Sequence, residues 1–219
     1  ELVTEPGYMV TTLYAGKDTE AGIVKTWNTS TKMLVQLRTT PEWLISEAQI
    51  YVGTEPIPTS KGNPVPGKFP YKQTKKTLSR QHTLVLDLEQ DLEFRWGQPY
   101  EDLRIQNVAV HAELVRANDK KQSEGAWAYG PYEFEGRQWG WWYRFELAHP
   151  ARGHFIDSPV GGLNYRTRSQ EGKTDESGKF DYLPGETVTL DIGTVSLGEA
   201  IANHKVSPLD LFEGADTSD

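Results

Sequence analysis

Five histidines, His82, His111, His149, His154 and His204, are the first candidates for acid–base or metal chemistry. His111 has the neighbour that matters. In a strand, His111 and Glu113 stand two positions apart on one face, so an imidazole and a carboxylate can orient one another. The alternative is a half-buried histidine whose hydrogen bonds are satisfied inside a sheet. His111-Ala112-Glu113 also has the H-x-E spelling of the zinc deaminases, but those enzymes need a cysteine pair and the chain has no cysteine. No HExxH occurs, nor any G-x-S-x-G or S-x-x-K serine motif. Gly161-Gly162 lacks the G-K-[ST] that would make it a phosphate loop. The 31 acidic residues are too many for spacing to single out a pair. A glycosidase would use two of Glu113, Glu133, Glu135 and Glu146, roughly 5 to 10 Å apart across a cleft.

Acidic turns raise the question of a metal. Asp157, Asp175 and Asp210 offer oxygen ligands, which names calcium as the first cofactor to test, although none lies in a twelve-residue calcium loop. Copper near His111 is the second. Asn28-Thr29-Ser30 spells a glycosylation sequon on a turn.

The densest local signal is aromatic: Trp127, Tyr129, Tyr132, Phe134, Trp139, Trp141, Trp142, Tyr143 and Phe145 fall within one short stretch. If Trp139 to Phe145 is a strand, Trp139, Trp141, Tyr143 and Phe145 share a core face, and Trp142, Arg144 and Glu146 face solvent. An exposed indole flanked by charges can stack on a sugar or a protein partner. Trp142, Arg144, Trp127 and Tyr129 are therefore the expected binding residues, joined by the proline-rich loop Pro56 to Pro70. The opposing reading buries all these rings and places Trp142 under a loop.

The elements that must hold these groups are strands. Residues 31–38 alternate, with Met33, Val35 and Leu37 on one face. Similar runs cover 22–27, 44–52, 83–88, 105–115, 139–147, 163–167, 179–182 and 187–192, with Gly, Pro, Asn and Asp between them, which predicts an all-β sandwich or barrel. One short helix is expected, at Leu197 to Asn203. All seven tryptophans precede His149, so a boundary is placed at about 150 to 153, with a tryptophan-rich domain over 1–150 and a small β segment over 151–219. That segment is either packed on the first domain or the truncated start of a longer region.

The 219 residues carry a net charge of −8, which argues against nucleic-acid or anionic-membrane partners, and no apolar run approaches a bilayer span. The first seven residues, Glu1 to Gly7, show neither a basic start nor an apolar run, so no signal peptide is expected within this numbering.

Two stretches carry a resemblance. Ala21-Gly22-Ile23-Val24-Lys25-Thr26-Trp27-Asn28, Trp43 to Gly53, Gly62-Asn63-Pro64-Val65-Pro66-Gly67-Lys68-Phe69-Pro70-Tyr71, Val110-His111-Ala112-Glu113 and Ala126-Trp127-Ala128-Tyr129-Gly130 resemble, in order, a β-sandwich module of bacterial secreted and surface proteins over about residues 7–148. The resemblance implies a non-catalytic part of an exported protein. Where that pattern carries a histidine two residues after the glutamate, this chain has Gln49 after Glu47. A fainter similarity, to copper-binding surface proteins of methane-oxidising bacteria, rests on His111 among tryptophans. Phe155 to Thr167, Gly172 to Tyr182, Gly185 to Gly193 and Ser207-Pro208-Leu209-Asp210-Leu211 resemble a recurrent piece of bacterial lipoproteins and adhesins over about 154–212. It implies a small Ig-like or prealbumin-like unit, with Tyr165, Phe180, Tyr182, Val188, Leu190 and Ile192 as its core.

These readings converge on an all-β chain, an Ig-like or jelly-roll-like β-sandwich followed by a small β unit. Its expected role is non-catalytic binding of a surface protein or glycan, outside the cell or on the surface of a bacterium. Metal binding is the first alternative. A carbohydrate-active hydrolase or carbohydrate-binding module is the second.

Overall fold

The computed structural model describes residues 2–97, 101–156 and 160–211. The chain divides into two compact units, Glu1–Leu147 and Ala148–Asp219.

The first unit is built from thirteen strands among the described residues: Val3–Glu5 (β1), Tyr8–Ala15 (β2), Thr19–Asn28 (β3), Lys32–Thr39 (β4), Trp43–Gly53 (β5), Thr59–Ser60 (β6), Asn63–Pro64 (β7), Tyr71–Ser79 (β8), Gln81–Asp87 (β9), Ile105–Arg116 (β10), Ser123–Ala128 (β11), Tyr132–Glu133 (β12) and Trp141–Glu146 (β13). All but β6 and β7, which pair with each other, belong to one eleven-stranded sheet. The pairings of this unit are antiparallel throughout. Its path runs β12-β13-β10-β11-β2-β3-β4-β9, with β5 on the other side of β10 and β8 beyond β5. Only Arg80 separates β8, paired with β5, from β9, paired with β4. The chain thus joins the two ends of its own sheet, curling it towards a barrel and leaving few open edges.

Period-2 patterning decides what fills the interior. Met33, Val35 and Leu37 of β4 are fully buried there, as are Val108, Val110, Ala112 and Leu114 of β10. The intervening β10 residues Asn107, Ala109, His111 and Glu113 necessarily face the other way. The interior holds one notable polar pair: the Tyr143 hydroxyl and Thr26 Oγ1 lie 2.8 Å apart, both buried. Burial raises the phenol's pKa, and the Thr26 hydrogen bond only partly opposes it. Tyr143→Phe should cost about 1 to 2 kcal/mol because it strands the Thr26 hydroxyl. Urea unfolding with an unchanged m-value would show this, and a midpoint equal to that of the parent would refute it.

The second unit has seven strands among its described residues: Ala151–Phe155 (β14), Asn164–Arg166 (β15), Glu171–Lys173 (β16), Lys179–Tyr182 (β17), Thr187–Ile192 (β18), Val195–Ile201 (β19) and Lys205–Val206 (β20). They form a three-stranded sheet, β17-β14-β20, and a four-stranded sheet, β16-β15-β18-β19. Phe155, Phe180, Tyr182 and Val206 from the first and Val188 and Leu190 from the second share one core, with Tyr165 packed against it. Two expectations are corrected here. Leu197 to Asn203 is no helix; most of it is β19, because cross-strand pairing with β18 outweighs helix propensity in so short a run. Gly198 sits at φ +125°, where an added Cβ would collide with the Leu211 carbonyl oxygen, so the place admits no side chain. Ile192 is 54% exposed, not core, since a register shift between Leu190 and Asp191 breaks the alternation before the hairpin end.

Candidate functional site

The outward face of β10 carries a second apolar cluster. Tyr51, Ile57, Phe69, Ala109, Trp127 and Trp141 are buried together, with Tyr14, Phe134, Trp139 and Trp142 packed against them. Ile57 and Phe69 come from the loop between β5 and β8, so this loop folds over the sheet and is anchored by its own apolar side chains. The Phe69 ring lies 6.0 Å from Tyr51 and 6.2 Å from Trp127, edge-on to both. Polar ties complete the attachment. Tyr51 donates to the Glu55 carbonyl at 2.8 Å, Asn107 Nδ2 to the carbonyls of Thr54 and Glu55, and the Gln138 amide to Asn63 Oδ1 at 2.8 Å. The Gly136 amide donates to the Gly62 carbonyl at 2.9 Å, an approach so close that a Cβ at Gly136 would collide with Asn63.

Of the rings expected to share a core face, Trp141, Tyr143 and Phe145 are buried, as expected, but they divide between two clusters. Tyr143 and Phe145 point into the barrel interior, whereas Trp139 and Trp141 belong to the outer cluster with Trp142. The strand begins only at Trp141, so alternation does not reach back to Trp139, and Trp141, at the strand's first position, packs with Tyr14 of the outer cluster. Trp141 is further held by its indole N–H donating to Glu133 Oε1 at 3.0 Å and by edge contacts with Tyr129 and Trp139.

Each side of the anchored loop borders a cavity. A groove of about 430 Å³ lies between Pro56, Ile57 and Thr59 of the loop and Phe134, Trp142 and Arg144 of the sheet side. Half-buried Trp142 is stacked on Tyr132 (4.3 Å between centroids, 22° between planes), and the Arg144 guanidinium sits over the same Tyr132 ring at 5.5 Å. Glu133 and Glu135 add carboxylates to the wall.

A basin of about 670 Å³ opens on the other side, walled by Pro64 and Pro66 of the loop and by His111, Glu113, Glu124, Trp127 and Trp139. His111 is positioned by three neighbours. Its Nδ1 lies 2.5 Å from Gln49 Oε1, its ring 4.8 Å from that of Trp127, and its Nε2 3.9 Å from Glu113 Oε1. Gln49 is directly opposite His111 in the β5–β10 register, and its Nε2 donates to Glu47 Oε1 at 2.8 Å. The amide's nitrogen is thereby committed to the carboxylate, so its oxygen accepts from His111, which fixes the Nδ1–H tautomer and leaves the Nε2 lone pair free to accept. Burial pushes the imidazole down to about 4, so at neutral pH it is uncharged and the Glu113 contact is no ion pair. Burial, then Glu47 and Glu124, raise the Glu113 carboxyl above the usual carboxylate range.

Among the expected binding residues, Trp142 and Arg144 share the groove with the proline-rich loop. Trp127 is 4% exposed and forms a basin wall between Phe69, Phe134 and His111. Tyr129 is more exposed and packs edge-on against Tyr14 and Trp141. Of the four glutamates considered for hydrolysis, Glu133 and Glu135 line the groove together, Glu113 lines the basin, and Glu146 bridges to Arg104 at 3.3 Å.

The metal ligands fare differently. Among the described residues, no group of three or more His, Cys, Asp or Glu is placed to hold a metal ion. Asp175 Oδ1 accepts from the Ser177 amide and hydroxyl and the Lys179 amide, and Asp210 Oδ2 from the Ser207 amide and hydroxyl. These are turn-closing carboxylates, and the same hydrogen bonds lower the pKa of both. Asp157 lies outside the described residues. For copper, His111 faces the amide of Gln49 where the resembled pattern has a second imidazole. Asn28 is fully buried with its amide donating to the Thr29 carbonyl, which closes the sequon to glycosylation in the folded chain. Sequence reasoning did not single out Glu124 or Phe69. Gln49 had been visible only as a departure from the resembled pattern.

Fold and site together define an all-β protein whose first unit presents two cavities either side of an anchored loop. No protein-family model matches the chain, and no solved structure does. Over 62 residues it is 37% identical to a protein named "Putative lipoprotein AcfD homolog" from Escherichia coli (strain K12), a match that covers 27% of this chain and 4% of that protein.

Proposed function

We propose that the first unit is a non-catalytic binding module of a bacterial cell-surface or secreted protein, and that its ligand is a glycan held in the Trp142 groove. The observation that carries this reading is the Tyr132–Trp142 stack capped by Arg144 in a groove walled by an anchored loop. A flat aromatic surface suits the apolar face of a pyranose, and Arg144, Glu133, Glu135, Asn107 and Thr59 supply partners for hydroxyls around it. The partial match to a lipoprotein supports placement at the cell envelope.

A glycan array probed with the full chain tests it. Trp142→Ala is expected to weaken any hit at least about tenfold, the equivalent of about 1.4 kcal/mol, and Arg144→Ala, which removes an exposed side chain, to weaken it with the unfolding midpoint close to that of the parent. Glycan binding that survives both Trp142→Ala and Arg144→Ala would overturn the assignment.

A further inference from the structure

The His111 basin has a chemistry the groove lacks. Its polar floor is made of acceptors: the Nε2 lone pair, exposed by the fixed tautomer, and the Glu113 carboxylate 3.9 Å away, with Glu124 on the same wall. Two acceptors at that separation can be bridged by a single donor nitrogen through hydrogen bonds of ordinary length. The floor is kept open by Gly125, opposite Glu113 in the β10–β11 register, where a Cβ would come within 3.4 Å of His111 Nε2. A glycine inside a strand weakens it, and close approach of another molecule is one of the reasons such a position is occupied by glycine.

The charge balance points the same way. Glu113 and Glu124 line the basin and Glu47 stands behind Gln49; against these three carboxylates stand two cations, Arg137 in the lining and Lys72, which is opposite Gln49 in the β5–β8 register and donates to the Gly67 carbonyl at the rim, while His111 contributes none. Beside this floor the lining offers apolar surface from Trp127 and Trp139 and from Pro64 and Pro66 of the loop, next to Arg137 and Gln138. An acceptor-rich floor with an excess of negative charge, flanked by indole and proline surface, fits a cation carried on an alkyl stem.

We propose that this basin is a receptor for a lysine side chain of a protein partner. The ammonium donates to His111 Nε2 and Glu113, and its butyl stem lies along the tryptophan and proline walls. An ammonium has three donors and no acceptor, so it satisfies this floor without leaving a donor of its own facing another donor. The site is separate from the Trp142 groove and does not depend on a glycan being bound there.

The test is a titration of the full isotope-labelled chain with Nα-acetyl-lysine methylamide, followed by the Trp127 indole and His111 ring resonances. The neutral isostere Nα-acetyl-norleucine methylamide and the amino sugar chitobiosamine serve as comparison probes. The expected result is saturable binding of the lysine probe, about tenfold weaker in Glu113→Gln and in Gly125→Ala, and unchanged in Trp142→Ala. Gly125→Ala covers Nε2 without altering any charge, and Glu124→Gln provides a charge variant should Glu113→Gln fail to fold. About 0.5 M NaCl should also weaken binding. Equal affinity for the norleucine probe, no saturable shift with the lysine probe, or tighter binding of the amino sugar at the same resonances would each overturn the proposal. Absence of any glycan hit for the parent chain, with lysine binding intact, would instead count against the groove reading alone.

Discussion

Phe69→Ala is expected to destabilise the first unit by about 3 to 5 kcal/mol and to abolish ligand retention in both cavities. Phe69 is 1% exposed and wedged edge-on between Tyr51 and Trp127, so truncation removes a large buried ring and leaves a void lined by other rings. The consequence extends beyond transfer energy. Pro56, Ile57 and Thr59 of the same loop wall the groove, and Pro64 and Pro66 wall the basin. With the anchor gone, both walls loosen together. Chemical denaturation gives the stability change, and the groove and basin titrations give the functional one. A midpoint shift worth less than about 1 kcal/mol, with both cavities still binding, would show that the polar ties through Asn63 and Asn107 hold the loop unaided.

Acidification should expose the second large effect, at His111. In the folded chain its pKa is lowered to about 4 by burial, from 6.5 when unfolded. Between those values the unfolded state binds a proton that the folded state refuses. The stability owed to a neutral His111 is therefore complete above about pH 6.5 and is lost as the pH falls towards 4, by about 3 kcal/mol in all. Glu113 acts with the opposite sign, because a carboxyl with a raised pKa holds its proton more firmly in the folded chain and stabilises it towards lower pH. The measurement is thus the difference between the parent and His111→Gln in unfolding free energy at pH 7, 5.5 and 4.5. A gap that closes as the pH falls is expected. A gap independent of pH would mean that His111 carries its proton equally in both states.

Local patterning made part of this readable in advance. Alternation at Met33, Val35 and Leu37 named a buried face, and the same rule placed His111 and Glu113 on one side of their strand, because the side-chain period of a strand is a property of the backbone itself. Among the strands not anticipated, Tyr8–Ala15 is apolar but its paired threonines, Thr11 and Thr12, break the alternation, and both are buried; two others are polar. Tyr71–Ser79 and Ser123–Ala128 contain lysines, threonines, a glycine and a glutamate, yet both are held in the sheet by partners on each side or at one edge. Val195–Ile201 is the converse case, a helix-compatible run drawn into a hairpin by β18.

The candidate sites divide along the same line. Trp142 and Arg144 could be picked out because they alternate with buried rings over a few residues. Trp139 and Trp141 could not be placed correctly, since where the strand begins is set by packing against Tyr129, Glu133 and the overlying loop. Gln49 and His111 lie 62 positions apart in the chain, and only the register between β5 and β10 brings them face to face.

What the residues determined unaided was the all-β character, the absence of thiol chemistry, the concentration of tryptophan before His149 and which side chains share a strand face. All of these follow from composition or from a two-residue period. The tertiary structure decided that a proline-rich loop lies over the aromatic face, that a glutamine fixes the tautomer of the one strand histidine in the site, and that the acidic turns spend their lone pairs on their own backbone. Each is a contact between segments remote in sequence or a competition for the same hydrogen bonds, and such outcomes depend on register and packing rather than on local pattern.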